Sequence, residues 1–354
     1  MGLLEETLAA IAPPDELAAA QAGRRLDSLT KPPGSLGCLE EIVRRYAAIR
    51  RDAGAPMGGG ALCVFAADHG VAAEGVSAYP QAVTAEMLRN IAGGGAAISV
   101  LARRFGYRLW ITDVGVAADT SAAALPGVRY RRIGAGTRNL AREAAMSVAQ
   151  ARAALEAGVE VARGAIAAGA TLVGIGEMGI ANSTSAAALL AAFTRLRPAR
   201  LAGRGTGVDD AGMRRKAAVI ERALKLHRAA LADPLATLAA LGGFEIAAMA
   251  GVCLGGAALN VPVVVDGFIA TAAAVAAERL SPGLFAQLFF GHQSAEGGHA
   301  RVLEKLGVRP IVDLEMRLGE GTGAALAMSV IESALALFRE MATFESAGVS
   351  EKIG

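Results

Sequence analysis

Short apolar runs alternate along the chain with longer segments in which Ala and other apolar residues recur at helical spacing. The runs ALCVFAAD (61–68), YRLWITDV (107–114), VRYRRI (128–133), TLVGIG (171–176), VPVVVDG (261–267) and LFAQLFF (284–290) predict strands. The Ala-rich stretches 147–169, 208–231 and 268–279 between them predict helices. This is the βαβ rhythm of an α/β protein, a Rossmann-like, mainly parallel sheet with helices on both faces. The two chain ends differ from the middle. Residues 4–50 are helical and charged with a break at Lys31-Pro32-Pro33-Gly34, and 324–345 reads as a long amphipathic helix. Their pairing predicts a small helical domain from both termini, 1–50 with 325–354, beside a large α/β catalytic domain at 51–324.

At 354 residues the chain can bury a large core, on the scale of about two domains of ~150 residues. With 35 basic against 33 acidic residues and only 4% aromatics, it has neither the field nor the stacking surfaces of a nucleic-acid binder. Residues 246–265 carry no charge, yet Gly251, Gly255, Gly256, Asn260 and Pro262 interrupt them, so a buried helix, a turn and a strand fit better than a membrane span. The acidic opening MGLLEETLAA is unlike a signal peptide. Cys38, Cys63 and Cys253 are too scattered for a disulfide framework or a zinc knuckle. A cytoplasmic protein without membrane or nucleic-acid partners is expected.

In such sheets ligands sit beyond the carboxyl ends of the strands, where glycine-rich loops let backbone approach phosphate. Four loops qualify: 134–139 (GAGTRN), 174–179 (GIGEMG), 203–207 (GRGTG) and 319–323 (GEGTG). Glycine also serves caps and turns, so no single loop decides.

Residues 174–179 match GxGxxG, but the acidic residue that an NAD enzyme needs about 20 positions later is replaced by Thr194-Arg195-Leu196-Arg197. The arginines would suit a 2′-phosphate, which keeps an NADP-linked oxidoreductase as the alternative. A mononucleotide phosphate fits better, held by backbone amides and by the hydroxyls of Ser183 and Thr184, unless these merely cap a helix. Glu320, between two glycines at a helix entrance, is either a solvated cap that stays ionised or a general base with a raised pKa in an apolar pocket; Glu177 has the same two options. His69 follows a predicted strand and should point toward the ligand edge. His292 and His299, seven apart, do not have the spacing of a helical metal pair, and Ser294 has no nucleophile motif around it. Asp266, ending VVVDG, is placed to bond a ribose or a loop amide.

Several ordered segments together resemble the nicotinate-nucleotide–dimethylbenzimidazole phosphoribosyltransferase family: LTKPPGSLG (29–37), FAADHGVAAEGVSAYPQAVT (65–84), GIGEMGIANST (174–184), LGGFEIAAMAG (241–251), VVVDGF (263–268), HQSAEGGH (292–299) and MRLGEGTGAALAM (316–328). The resemblance spans nearly the whole chain. It implies transfer of 5-phosphoribosyl from nicotinate mononucleotide to 5,6-dimethylbenzimidazole in the nucleotide-loop branch of cobalamin synthesis, with no cofactor and no metal, by a homodimer. Glu320 would be the base. Glu177, Gly179, Ala181, Asn182, Ser183 and Thr184 would form the nucleotide loop, with Gly205 and Lys216 on the phosphoribosyl side. Without the resemblance, Lys216 in the run Arg214-Arg215-Lys216 reads as a solvated lysine. Asp266 and Ser294 would contact the ribose or nicotinate part, and Tyr79, Met87 and Leu318 would line the benzimidazole slot. Some relatives carry Ser and Gln where this chain has Tyr79 and Met87, a change that bears on the choice of base and not on the reaction type.

Overall fold

The computed structural model describes residues 2–121, 124–205 and 207–350. Six strands form one sheet: β1 Gly59–Ala67, β2 Arg108–Gly115, β3 Val128–Tyr130, β4 Ala170–Met178, β5 Val263–Val265 and β6 Leu288–Phe290. Their order in space is β3-β2-β1-β4-β5-β6, with every neighbouring pair parallel. The α/β class expected from the alternating pattern is what forms, and the order places a topological switch point between β1 and β4.

The period-two alternation of the strands divides their side chains between two cores. Ala61, Cys63, Phe65 and Ala67 of β1 join the core that contains helices Val148–Ala167, Asn182–Thr194, Phe244–Ala258 and Phe268–Leu280. Leu62, Val64 and Ala66 join the opposite core, with Cys38–Arg50, Val83–Ala92, Ala97–Phe105 and Thr322–Glu340. The chain ends meet on this second side: Leu29 pairs with Thr343 as an antiparallel bridge, and the Arg25 guanidinium donates to the carbonyls of Phe338 and Arg339. The Thr322–Glu340 helix also packs on β4 and β5, so its amino end reaches the carboxyl edge of the sheet. Residues 351–354 of the C-terminal segment lie outside the described residues.

Two predicted strands are shorter than their apolar runs. In 128–133 the regular ladder covers Val128–Tyr130 at the sheet edge, and beyond it the Arg131 and Ile133 amides still donate to the Asp113 and Val114 carbonyls. In 284–290 the Pro282-Gly283 turn leads into a 3-10 turn at Leu284–Gln287, and only Leu288–Phe290 enters the sheet. The uncharged stretch 246–265 resolves into the buried Phe244–Ala258 helix, a turn and β5. Thr322–Glu340 is long and apolar enough to cross a membrane by length and composition, but more than half of its apolar window is buried inside the protein.

Candidate active site

The loops after β1, β4, β5 and β6 converge beside the switch point. Gly319, Glu320 and Gly321 have φ of 87°, 63° and 89°, three left-handed residues in succession. A glutamate held there costs roughly 1–2 kcal/mol of backbone strain, so its surroundings must over-determine it. They do so from two directions. Asp266, just beyond β5, accepts the Gly321 amide on Oδ2 (3.2 Å) and the Ala324 amide on Oδ1 (2.9 Å). From below, Gly174 and Gly176 lie two apart within β4 and so face the same side, where the Thr322–Glu340 helix and its leading turn close in.

The Glu320 side chain is buried, which excludes the solvated cap. Its Oε2 accepts the Ile98 amide, 3.3 Å away in the first turn of the Ala97–Phe105 helix. Burial raises its pKa above the ordinary carboxylate value, the Ile98 amide opposes this, and the nearby Asp266 charge adds to the rise. Glu177, at the end of β4, is pushed up to about 8, first by burial and then by the carboxyls of Glu245, Asp266 and Glu320, against a lowering hydrogen bond from Asn182.

The chain then turns sharply into the next helix. A Cβ at Gly179 would lie 2.5 Å from the Ala67 carbonyl oxygen, and Ala181 takes a left-handed φ of 74° to start Asn182–Thr194 without a side-chain cap. Ser183 accepts from Lys216 Nζ at 3.1 Å, and the same ammonium donates to the Gly203 carbonyl, also at 3.1 Å. Lys216 is 1% exposed, so the solvated lysine suggested by its basic run is overturned. Arg214 and Arg215 are exposed, whereas Lys216 shares the inner helix face with Gly212, Val219, Ile220 and Ala223. Burial lowers its pKa and Glu296 pulls it back up. Thr184 is fully buried and does not line the recess as Ser183 does, and its hydroxyl has no partner among the described residues.

Gly205 is held by Glu296, whose two oxygens accept its amide at 2.9 and 3.0 Å; Thr206 of the same loop lies outside the described residues. Ser294 Oγ accepts the Glu296 amide, and the Ser294 amide donates to His299 Nδ1. Burial, reinforced by His292, lowers the His299 pKa to about 3. Glu177, Ser183, Gly205, Asp266, Ser294 and Leu318 thus border one recess of about 50 Å³. Leu318 and Tyr79 are exposed, at 57% and 55%, and Met87 is half-buried. Met87 belongs to the Val83–Ala92 helix, which is tied to the 179–184 loop because Thr84 Oγ accepts the Ile180 amide at 3.1 Å.

Two groups here went unassigned from the sequence. Glu296 sits in the HQSAEGGH segment, and Glu245 is the one charged residue in a long apolar stretch, a signal that a carboxylate is being buried for a reason. His69 does follow β1, but its ring is fully buried beneath the 182–194 helix rather than open to the ligand edge. The 134–139 loop supports it: Thr137 pairs with His69 in a parallel bridge.

The dinucleotide fingerprint does not survive this geometry. Its first two glycines belong to β4 and receive a helix and a turn, not a pyrophosphate. Arg195 stands at the far end of Asn182–Thr194, about 18 Å from the loop at 1.5 Å per residue.

A parallel sheet covered on both faces, with buried carboxyls and a buried ammonium gathered at its switch point, defines an α/β enzyme. The model of a family described as a phosphoribosyltransferase matches residues 11–349. A nicotinate-nucleotide–dimethylbenzimidazole phosphoribosyltransferase of Geobacter sp. (strain M21) is 49% identical over 99% of this chain and 100% of its own length, and one of Chloroflexus aurantiacus is 50% identical over 100% of both. A solved structure with that name, from Thermus thermophilus, superposes with a TM-score of 0.89 at 47% identity, covering 96% of this chain and all of the other. The chain belongs to the nicotinate-nucleotide–dimethylbenzimidazole phosphoribosyltransferase family, and it is a transferase.

Proposed function

We propose that this enzyme moves the 5-phosphoribosyl group of nicotinate mononucleotide onto 5,6-dimethylbenzimidazole, giving α-ribazole 5′-phosphate and nicotinate, a step of cobalamin nucleotide-loop assembly. The observation that carries this beyond family membership is the buried Glu320, held in a strained turn by Asp266 and Gly176. The C1′–N bond to the pyridinium breaks and its electron pair neutralises the ring, so departure needs no acid. One azole nitrogen forms the new bond to C1′ while the proton on the other passes to Glu320. Attack opposite the leaving group inverts the anomeric carbon, which calls for orientation more than covalent help. No oxidant, metal or cofactor enters this balance.

In this reading Ser183 and Lys216 grip the phosphate at the start of the 182–194 helix. Glu177, protonated up to about pH 8, stays close to the anionic nucleotide without repelling it. Asp266 and Ser294 stand on the ribose and nicotinate side, Asp266 chiefly through the turn it supports, and Tyr79, Met87 and Leu318 border the azole. Family membership supports a homodimer, which light scattering on the eluting protein reads directly.

The test incubates purified protein and Glu320→Gln with both substrates and follows nicotinate and α-ribazole phosphate by chromatography. Product from wild type with a loss of roughly 10²–10⁴ in the variant is expected. Full activity in Glu320→Gln moves the base elsewhere, and no product from folded wild type, with this azole or others, refutes the reaction.

A further inference from the structure

Beneath the nucleotide loop lies a fully buried chain of three polar side chains from three distant segments: Ser185, His69 and Glu245. His69 Nδ1 is 2.9 Å from Ser185 Oγ, and Nε2 is 2.6 Å from Glu245 Oε1. The other oxygen of Glu245 is buried without a partner among the described residues. Burying such groups is not an efficient route to stability, because apolar side chains in the same volume often serve as well or better. A chain of this kind at this depth calls for a positional explanation.

The explanation lies in the helix it touches. Asn182–Thr194 begins from a left-handed alanine and has no capping side chain. Asn182 is committed to Glu177 and Ser183 to Lys216, while the Thr184 hydroxyl has no partner among the described residues. Of the first four side chains, Ser185 is the one bonded to the interior of the fold rather than to the site. Its anchor is rigid. On either side of His69, the Thr137 amide donates to the Asp68 carbonyl at 2.9 Å and the Gly70 amide donates to the Thr137 carbonyl at 3.0 Å. With Glu245 accepting from Nε2–H, the imidazole orientation is fixed and Nδ1 is left to receive the Ser185 hydroxyl.

We propose that the His69–Glu245 pair is a positioning device, holding the first turn of the 182–194 helix through Ser185 at the height from which Ser183 and Asn182 hold the phosphoribosyl side of the substrate. This role rests on the function proposed above. It acts on nucleotide binding, since Ser185 belongs to the 182–194 helix and the azole residues Tyr79, Met87 and Leu318 do not.

The experiment compares wild type, Ser185→Ala, Glu245→Gln and Glu245→Ala by full kinetics in both substrates and by thermal melts. Ser185→Ala is expected to raise KM for nicotinate mononucleotide about tenfold, with kcat and the KM for dimethylbenzimidazole within about threefold of wild type. Glu245→Gln, whose amide oxygen still accepts from Nε2–H, stays within about threefold throughout, whereas Glu245→Ala reproduces or exceeds the Ser185→Ala defect. A merely structural role lowers Tm and leaves the nucleotide KM of the folded protein where it was. A Ser185→Ala nucleotide KM within twofold of an active wild type overturns the positioning role alone. Absence of transfer by folded wild type overturns the phosphoribosyl reading, and this role with it.

Discussion

Gly176 is the floor on which Glu320 rests: a Cβ at position 176 would lie 2.5 Å from the Glu320 carbonyl oxygen and 2.4 Å from the Gly321 amide nitrogen. Backbone meets backbone there, so neither side can swing away as a flexible side chain would. Gly176→Ala should therefore lower stability by about 1–3 kcal/mol. It should also lower kcat by roughly 10²-fold, because an ångström of misplacement at a reacting group has that effect. Melting curves and steady-state rates on the same preparation check both, and an unaltered kcat in the folded variant would show that the turn is positioned by something else.

Burial holds Glu320 above the ordinary carboxylate pKa, and as the proposed base it works only when ionised. Hence kcat should be low in acid, rise about tenfold per pH unit, and level off above a midpoint higher than the ordinary glutamate value of 4.5. The residual rate of Glu320→Gln should lack this limb. A rate profile from pH 4 to 9 at saturating substrates decides; a wild-type midpoint at or below 4.5 would contradict the effect of burial on the base.

Lys216 is a buried charge whose ammonium joins Ser183 to the Gly203 carbonyl. Lys216→Met keeps the length of the stem among Val219, Ile220 and Ala223 and removes a desolvated charge, but it leaves the Gly203 carbonyl without its donor, so stability should fall by about 1–3 kcal/mol with the fold kept. The KM for nicotinate mononucleotide should rise by about two orders of magnitude, the loss of a charge-assisted bond of roughly 1.5–3 kcal/mol to phosphate. Titration calorimetry with the mononucleotide checks this, and unimpaired binding would place the phosphate elsewhere.

In the proposed azole slot, Tyr79 and Met87 would offer an aromatic face and a polarisable thioether to a flat ring. Tyr79→Ser with Met87→Gln should shift the ratio of kcat/KM for dimethylbenzimidazole over adenine by about tenfold, consistent with one or two contacts of roughly 0.5–1.5 kcal/mol each. The nucleotide KM should stay constant. Competition between the two azoles in one reaction measures the ratio directly, and an unchanged ratio would remove these residues from the azole slot.

The elements of the fold were legible because each strand and helix announces itself within a window of a few residues: β1 and β5 as apolar runs, the 148–167 helix as alanines at helical spacing. Glu320 stood out locally, a lone carboxylate between two glycines. What no local window contains is the identity of the partner across space. Gly174 and Gly176 read as a phosphate loop until the order of the strands brought the 319–322 turn down upon them, and Lys216 read as solvent-exposed until helical phase set it on the opposite side from Arg215. His69 and Glu245 are 176 residues apart, and nothing near either one reveals the other. The sequence by itself determined the α/β class, the strands and the candidate carboxylates, since these depend on propensity and periodicity between near neighbours. Only the tertiary structure decided which of those groups are buried and what they touch, since burial and hydrogen bonding arise where the sheet's order draws distant loops to one edge.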